Sequence, residues 1–132
     1  MYFYEDPGPR NQIVLFPHNS KRDGSTNNIT GNEVLTWTCP SDINDEVPMR
    51  VYVWGAGGAG GNQSSSGNGY GGGGGGLAIS EFTPVAGQAY TVTIGGCATT
   101  YNGRGGTSSF AGSGITTVSA TGGNSGYNSS NP

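Results

Sequence analysis

Charge is scarce in this chain of 132 residues: five Lys and Arg stand against eight Asp and Glu, for a formal net charge of −3. Electrostatic binding to nucleic acid needs a basic patch that neutralises phosphates, and the one adjacent basic pair, Lys21-Arg22, is isolated. Histidine is nearly absent. His18 is the single imidazole, so no His/Cys cluster has metal-ligand spacing, and a Ser-His-Asp triad would have to recruit this one residue from a polar loop beside Pro17. Asp42, Asp45 and Glu46 lack the full spacing of a calcium loop and read as a solvated acidic connector. No catalytic group, metal ligand or cofactor is therefore expected, and the chain reads as a non-enzyme. Two cysteines, Cys39 and Cys97, cannot build a disulfide framework; one bridge and two separate thiols both remain open. No apolar run approaches the length of a transmembrane helix, and the start MYFYEDPGPR has neither the basic segment nor the apolar stretch of a signal peptide. The expectation is a protein made in the cytoplasm, without membrane insertion, that leaves it by a route such as lysis. Helical periodicity is missing throughout, which leaves an all-β class.

What the chain has instead is glycine, 27 residues of it, with only 32% hydrophobic residues. Such a composition predicts a small core supplemented by partner chains. The organising stretch is residues 49–76, in which the alternating strand Val51-Tyr52-Val53-Trp54 runs straight into a glycine-dominated segment. Glycine loses the most backbone entropy on ordering and brings no side chain to bury. The run becomes ordered only if its backbone is packed, either as polyproline-II-like segments laid side by side or as loops held on a β-scaffold.

Eleven of the thirteen charged residues lie at or before Arg50, whereas 24 of the 27 glycines lie after it. Residues 1–32 read as an anchoring arm, with an aromatic cluster (Tyr2, Phe3, Tyr4) and a strand-sized apolar run containing Ile13, Leu15 and Phe16. Residues 33–123 read as a glycine-rich β domain and residues 124–132 as an irregular tail. Strands are expected at 33–38, 49–54, 77–82, 89–94 and 115–120, with a turn at 84–88; the strands flanking the 39–48 connector could share one sheet. The expected architecture is a small β-sandwich with long ordered glycine-rich loops, in which polyglycine-II packing is one way to order the glycines.

Gly55, Gly57 and Gly60 spell G-x-G-x-x-G after a strand, but no helix-forming sequence follows and no acid occurs before Glu81, so a dinucleotide fingerprint is excluded by context. The Asn-x-Ser/Thr matches at Asn28, Asn62 and Asn128 are those a chain rich in Asn and Ser produces by chance. The candidate contact residues are polar and aromatic ones among the glycines: Asn62, Ser65, Asn68, Tyr70, Tyr101, Asn102 and Arg104. Tyr, Ser and Asn on small-residue loops make an adaptable binding surface. Tyr covering glycine backbone within an assembly is the competing reading.

The order TWTCPSDINDEVPMRVYVWGAGGAGG, a polyglycine run, GGGLAISEFTPVAGQAYTVTIGG and GRGGTSSFAGSGITTVSATGG resembles the glycine-rich domain of bacteriophage tail-fibre and other tail-associated proteins, over residues 36–123. Cys39 stands at a position that the family's Trp-Thr-x-Pro start leaves open. The resemblance implies a virion structural protein, homotrimeric, with a hairpin spanning TPVAGQAYTVTIGG and specificity carried in loops between packed glycine segments. It implies as partners further copies of the chain, other virion proteins reached through the arm (Tyr2, Phe3, Tyr4, Ile13, Leu15, Phe16), and a host-surface glycan or protein. A capsid decoration or head fibre without receptor binding, and a cellular glycine-rich matrix or ice-binding protein, are the alternatives.

Overall fold

The computed structural model describes residues 32–44, 46–61, 69–98 and 100–126. They form six strands in two antiparallel sheets and no helix: β1 (Glu33–Thr38), β2 (Met49–Trp54), β3 (Leu77–Phe82), β4 (Ala89–Ile94), β5 (Ser108–Gly112) and β6 (Val118–Ala120). One sheet has the order β1-β4-β5-β6 and the other is the pair β2-β3. β2 packs across on β5 and β6, and β3 on β6, which makes a sandwich. The sandwich-like all-β expectation is met.

Period-2 alternation sets each strand's inward face. In β2, Met49, Val51 and Val53 turn inward while Arg50, Tyr52 and Trp54 face solvent. In β1, Leu35 and Trp37 turn in while Val34, Thr36 and Thr38 face out. The core is small and aromatic: Cys39, Val53, Tyr90, Phe110 and Ala120 are buried, with Trp37, Phe82 and Val92 among those packed against them. Tyr90 and Phe110 stack with ring centroids 5.2 Å apart, and Trp37 and Phe82 each approach Tyr90 at 5.4 Å. The Tyr90 hydroxyl accepts a hydrogen bond from the Val85 amide at 3.4 Å, so the buried ring carries a satisfied polar tip. Opposite Tyr90 in register sits Gly112, where a Cβ would overlap the phenol ring.

Three expectations are corrected. β1 and β2 lie in different sheets, because the acidic connector carries the chain from one layer to the other. The same holds at residues 83–88: β3 and β4 are not a hairpin, since β3 pairs with β2 while β4 pairs with β1 and β5. The turn itself is present, closed by the Gln88 amide on the Val85 carbonyl at 3.0 Å, with Gly87 at φ 75°. Finally, the last strand begins at Val118 and not at residue 115, and an additional strand, β5, forms at Ser108–Gly112. Its polar Ser108-Ser109 start hid it: Ser108 is buried, its hydroxyl accepting the Gly95 amide at 2.9 Å.

The arm residues Tyr2, Phe3, Tyr4, Ile13, Leu15 and Phe16 lie outside the described residues. Phe110→Ala removes the ring that Trp37, Phe82 and Tyr90 all touch. It is expected to cost about 3–5 kcal/mol in urea denaturation; a loss below about 1 kcal/mol would contradict this packing.

Candidate functional site: a backbone lattice and its loop end

One end of the sandwich is closed by glycine backbone. Four segments, 55–61, 70–76, 102–106 and 121–126, continue from or into the strands, and none of them is a strand itself. Their hydrogen bonds step by three residues. The amides of Gly55, Gly58 and Gly61 donate to the carbonyls of Gly76, Gly73 and Tyr70 at 2.8–2.9 Å. Those of Ala56 and Ala59 donate to Gly106 and Gly103 at 3.1 and 3.0 Å. Gly123 and Gly126 donate back to the carbonyls of Ala56 and Ala59 at 2.8 and 2.9 Å, and Gly73 and Gly76 to Asn124 and Thr121 at 2.8 Å.

A period of three residues per turn is the signature of polyproline-II helices, which have no internal hydrogen bonds and so send successive backbone groups to successive neighbours. Here the 55–61 segment sends them to three partner segments in turn. The partner residue numbers run antiparallel for 70–76 and 102–106 and parallel for 121–126. This is polyglycine-II packing, one of the two arrangements the sequence left open.

Steric demand explains the composition. A Cβ at Gly55 or Gly58 would overlap the carbonyl of Thr121 or Asn124, and one at Gly72 or Gly75 would overlap that of Gly58 or Gly55. Ala56 and Ala59 interrupt the run on a row that has space. Among the described glycines only Gly87 and Gly114 have φ in the left-handed region, so in the lattice glycine is needed for closeness and not for an unusual dihedral. Asn32 and Ser108 stitch lattice to sheet: the Asn32 carboxamide oxygen accepts the Gly96 amide at 3.2 Å, and Ser108 accepts that of Gly95.

Gly61 bonds Tyr70, and the neighbouring Gly60 carbonyl accepts the Asn102 amide at 3.2 Å. Tyr70 and the Tyr101-Asn102 turn therefore lie at the same lattice end, away from the strands. Tyr70 is 56% exposed and Tyr101 70%. Asn102 has φ 62°, a left-handed conformation that Asn tolerates, and the Gly103 amide closes that turn on the Thr100 carbonyl at 3.1 Å. Arg104 is exposed on the next stretch. Asn62, Ser65 and Asn68 fall outside the described residues. Residues 121–126, which lack any core-forming side chain, are bonded into the lattice, with Gly123 and Gly126 buried. The sequence gives no sign of these bonds, because a backbone donor at every third residue leaves no side-chain mark.

The cysteines do not pair with each other: Cys39 is buried in the core and Cys97 is exposed. Burial pushes the Cys39 thiol up from its ordinary value, so it stays protonated and unreactive at neutral pH. No group of three or more His, Cys, Asp or Glu suited to a metal occurs among the described residues. Arg50 and Glu81 form an exposed ion pair across β2 and β3, with Arg50 Nε donating at 2.9 Å. The Tyr52 side chain and the Glu81 carboxylate raise the Arg50 pKa further.

A family model described as a glycine-rich domain matches residues 28–132, most of the chain, and the chain belongs to that family. No curated protein matches, and no solved structure matches.

Gly58→Ala is expected to destabilise by about 1–3 kcal/mol or more in thermal denaturation, as overpacking does, whereas Gly57→Ala, whose methyl meets the Gly73 carbonyl oxygen only at an ordinary 3.8 Å, leaves the midpoint unchanged or higher. Equal effects at the two positions would contradict the lattice. With a thiol-specific reagent, one cysteine, Cys97, is expected to react in the native protein and Cys39 only on unfolding; prompt labelling of both would contradict the burial of Cys39.

Proposed function

We propose that this chain is a non-enzymatic structural protein of a bacteriophage particle, of the tail-fibre or tail-tip type, which presents its glycine-rich loops to the host surface. The observation that carries the reading is the loop end of the lattice. Hydrogen bonds through Gly60 and Gly61 hold Tyr70 and Asn102 together there, on a platform whose rigidity comes from backbone packing. A platform of this kind fixes the bases of loops while leaving their tips free to vary, the division of labour that loop-based recognition uses. Exposed Tyr and Asn on it suit a glycan or a protein surface without needing charge.

In this reading the chain acts as a homotrimer within the virion, made in the host cytoplasm and released by lysis. The arm, through Tyr2, Phe3, Tyr4, Ile13, Leu15 and Phe16, joins it to other virion proteins. No cofactor and no nucleic-acid partner enters the reading. A second reading, a purely structural head or tail component, is favoured by one observation: the outer face of β2-β3 exposes large apolar side chains of the kind that neighbours in an assembly cover.

Two measurements test these readings. Mass spectrometry of purified phage particles is expected to find the chain, and its absence from them would overturn both. In a cell-binding assay on the phage's host, the Tyr70→Ala/Tyr101→Ala variant is expected to bind at least about tenfold more weakly, a loss of about 1.4 kcal/mol. Unchanged binding would remove the receptor claim and leave the structural one.

A further inference from the structure

Alternation in β2 and β3 leaves an outer face that no other described residue covers. The antiparallel register sets Tyr52 opposite Ile79 and Trp54 opposite Leu77, two successive cross-strand pairs on the same side. All four are large and open to solvent, at 46%, 53%, 61% and 52% exposure. The Tyr52 and Trp54 rings lie nearly parallel, 15° apart in plane with centroids 5.9 Å apart. A contiguous apolar patch of this size on a protein with so small a core marks an interaction site.

The glycines next to this face carry a second, independent anomaly. At Gly55, Gly58, Gly72 and Gly75 glycine is demanded by a neighbouring carbonyl, but at Gly71 and Gly74 a Cβ would meet nothing within 4 Å. Neither has a left-handed φ, both are exposed, and neither forms a backbone hydrogen bond with any other described residue. Counting by the lattice's step of three, Gly71 and Gly74 fall in the row that ends on Leu77. Glycine is therefore kept where the described residues give no reason for it, along a row of open backbone donors and acceptors that leads onto the apolar patch.

We propose that the outer face of β2-β3, continued by the Gly71–Gly74 row, is the surface on which a second copy of this chain docks. Three features select that occupant. Among the described residues the charges on the face are Arg50 and Glu81, side by side, so the face is neutral and complementary to itself: copies arranged about a symmetry axis set Arg50 of one near Glu81 of the next. A polyanion or an anionic membrane finds no basic field there. The open row is a further row of the lattice that packs inside each chain, and that lattice already accepts both parallel and antiparallel neighbours, so an identical row from another copy continues it. The patch pairs aromatic with aliphatic side chains, Tyr52 with Ile79 and Trp54 with Leu77, which match the apolar side chains of a like surface.

The test is the mass of the full chain in solution by sedimentation equilibrium, across a dilution series. Wild type is expected as a closed oligomer of the 13.3 kDa chain. Trp54→Ser/Leu77→Ser is expected to dissociate it, with a dissociation constant raised at least tenfold. Gly71→Val/Gly74→Val is expected to do the same while the circular-dichroism spectrum and melting cooperativity of the monomer are retained, because its side chains enter open space in the single chain. Dimer and trimer both support the inference. A wild type that stays monomeric at its solubility limit overturns it, and so does an oligomer that both folded variants leave intact. The inference does not rest on the virion reading: copies that associate through this face without binding cells leave it standing, and cell-binding monomers refute it alone.

Discussion

The fold depends on backbone amides meeting backbone carbonyls at a distance that excludes side chains. Gly55, Gly58, Gly72, Gly75 and Gly123 all occupy positions where a methyl group would intrude on a neighbouring segment's peptide. Removing side chains from these rows lets four segments approach closely enough to satisfy one another's hydrogen bonds, which a buried, unpaired backbone could not afford to leave open. A conventional core then needs to organise only the two sheets. A cluster built on Trp37, Phe82, Tyr90 and Phe110 serves for that.

These two cores are made of opposite materials and are joined through the chain itself. β2 leads into the 55–61 segment, 70–76 leads into β3, and β6 leads into 121–126, so the strand register and the lattice register fix each other. A slip of one residue in β2 would turn Val51 and Val53 outward and would also carry Gly55 and Gly58 off their partners, leaving Ala56 and Ala59 in positions that reject a methyl. The alternation of apolar residues in the strand and the placing of alanine among the glycines are thus one constraint expressed in two alphabets. Tyr70 and the Tyr101-Asn102 turn, bonded to Gly61 and Gly60 at the far end of the lattice, share that register.

Much of this was legible in the sequence. Residues 33–38, 49–54 and 89–94 alternate and are strands, and the short candidate at 77–82 is a strand too, although its larger apolar residues Leu77 and Ile79 face out. Polyglycine-II packing was readable as one of two options, because the physics of ordering bare backbone leaves few others. Three features were harder to see. The pairing of strands was hidden because β3 and β4 are separated by a short turn that looks like a hairpin's, while their inward faces belong to opposite layers. β5 was hidden because Ser108 is buried through a hydrogen bond to Gly95 and not through apolar area. The place of residues 121–126 was hidden because it is written in carbonyl positions alone. Of the candidate contact residues, Tyr70 and Asn102 were chosen for standing among glycines; that Gly60 and Gly61 would bring them to one end needed the lattice register.

Amide hydrogen exchange tests the central claim most directly, since a lattice of backbone hydrogen bonds is what it reads. The account predicts that the amides of Gly55, Ala56, Gly58, Ala59, Gly73 and Gly123 are protected to the same degree as those of β4 and β5, although none of them lies in a strand. Exchange of these amides at the rate of an unstructured chain, with β4 and β5 still protected, would contradict it.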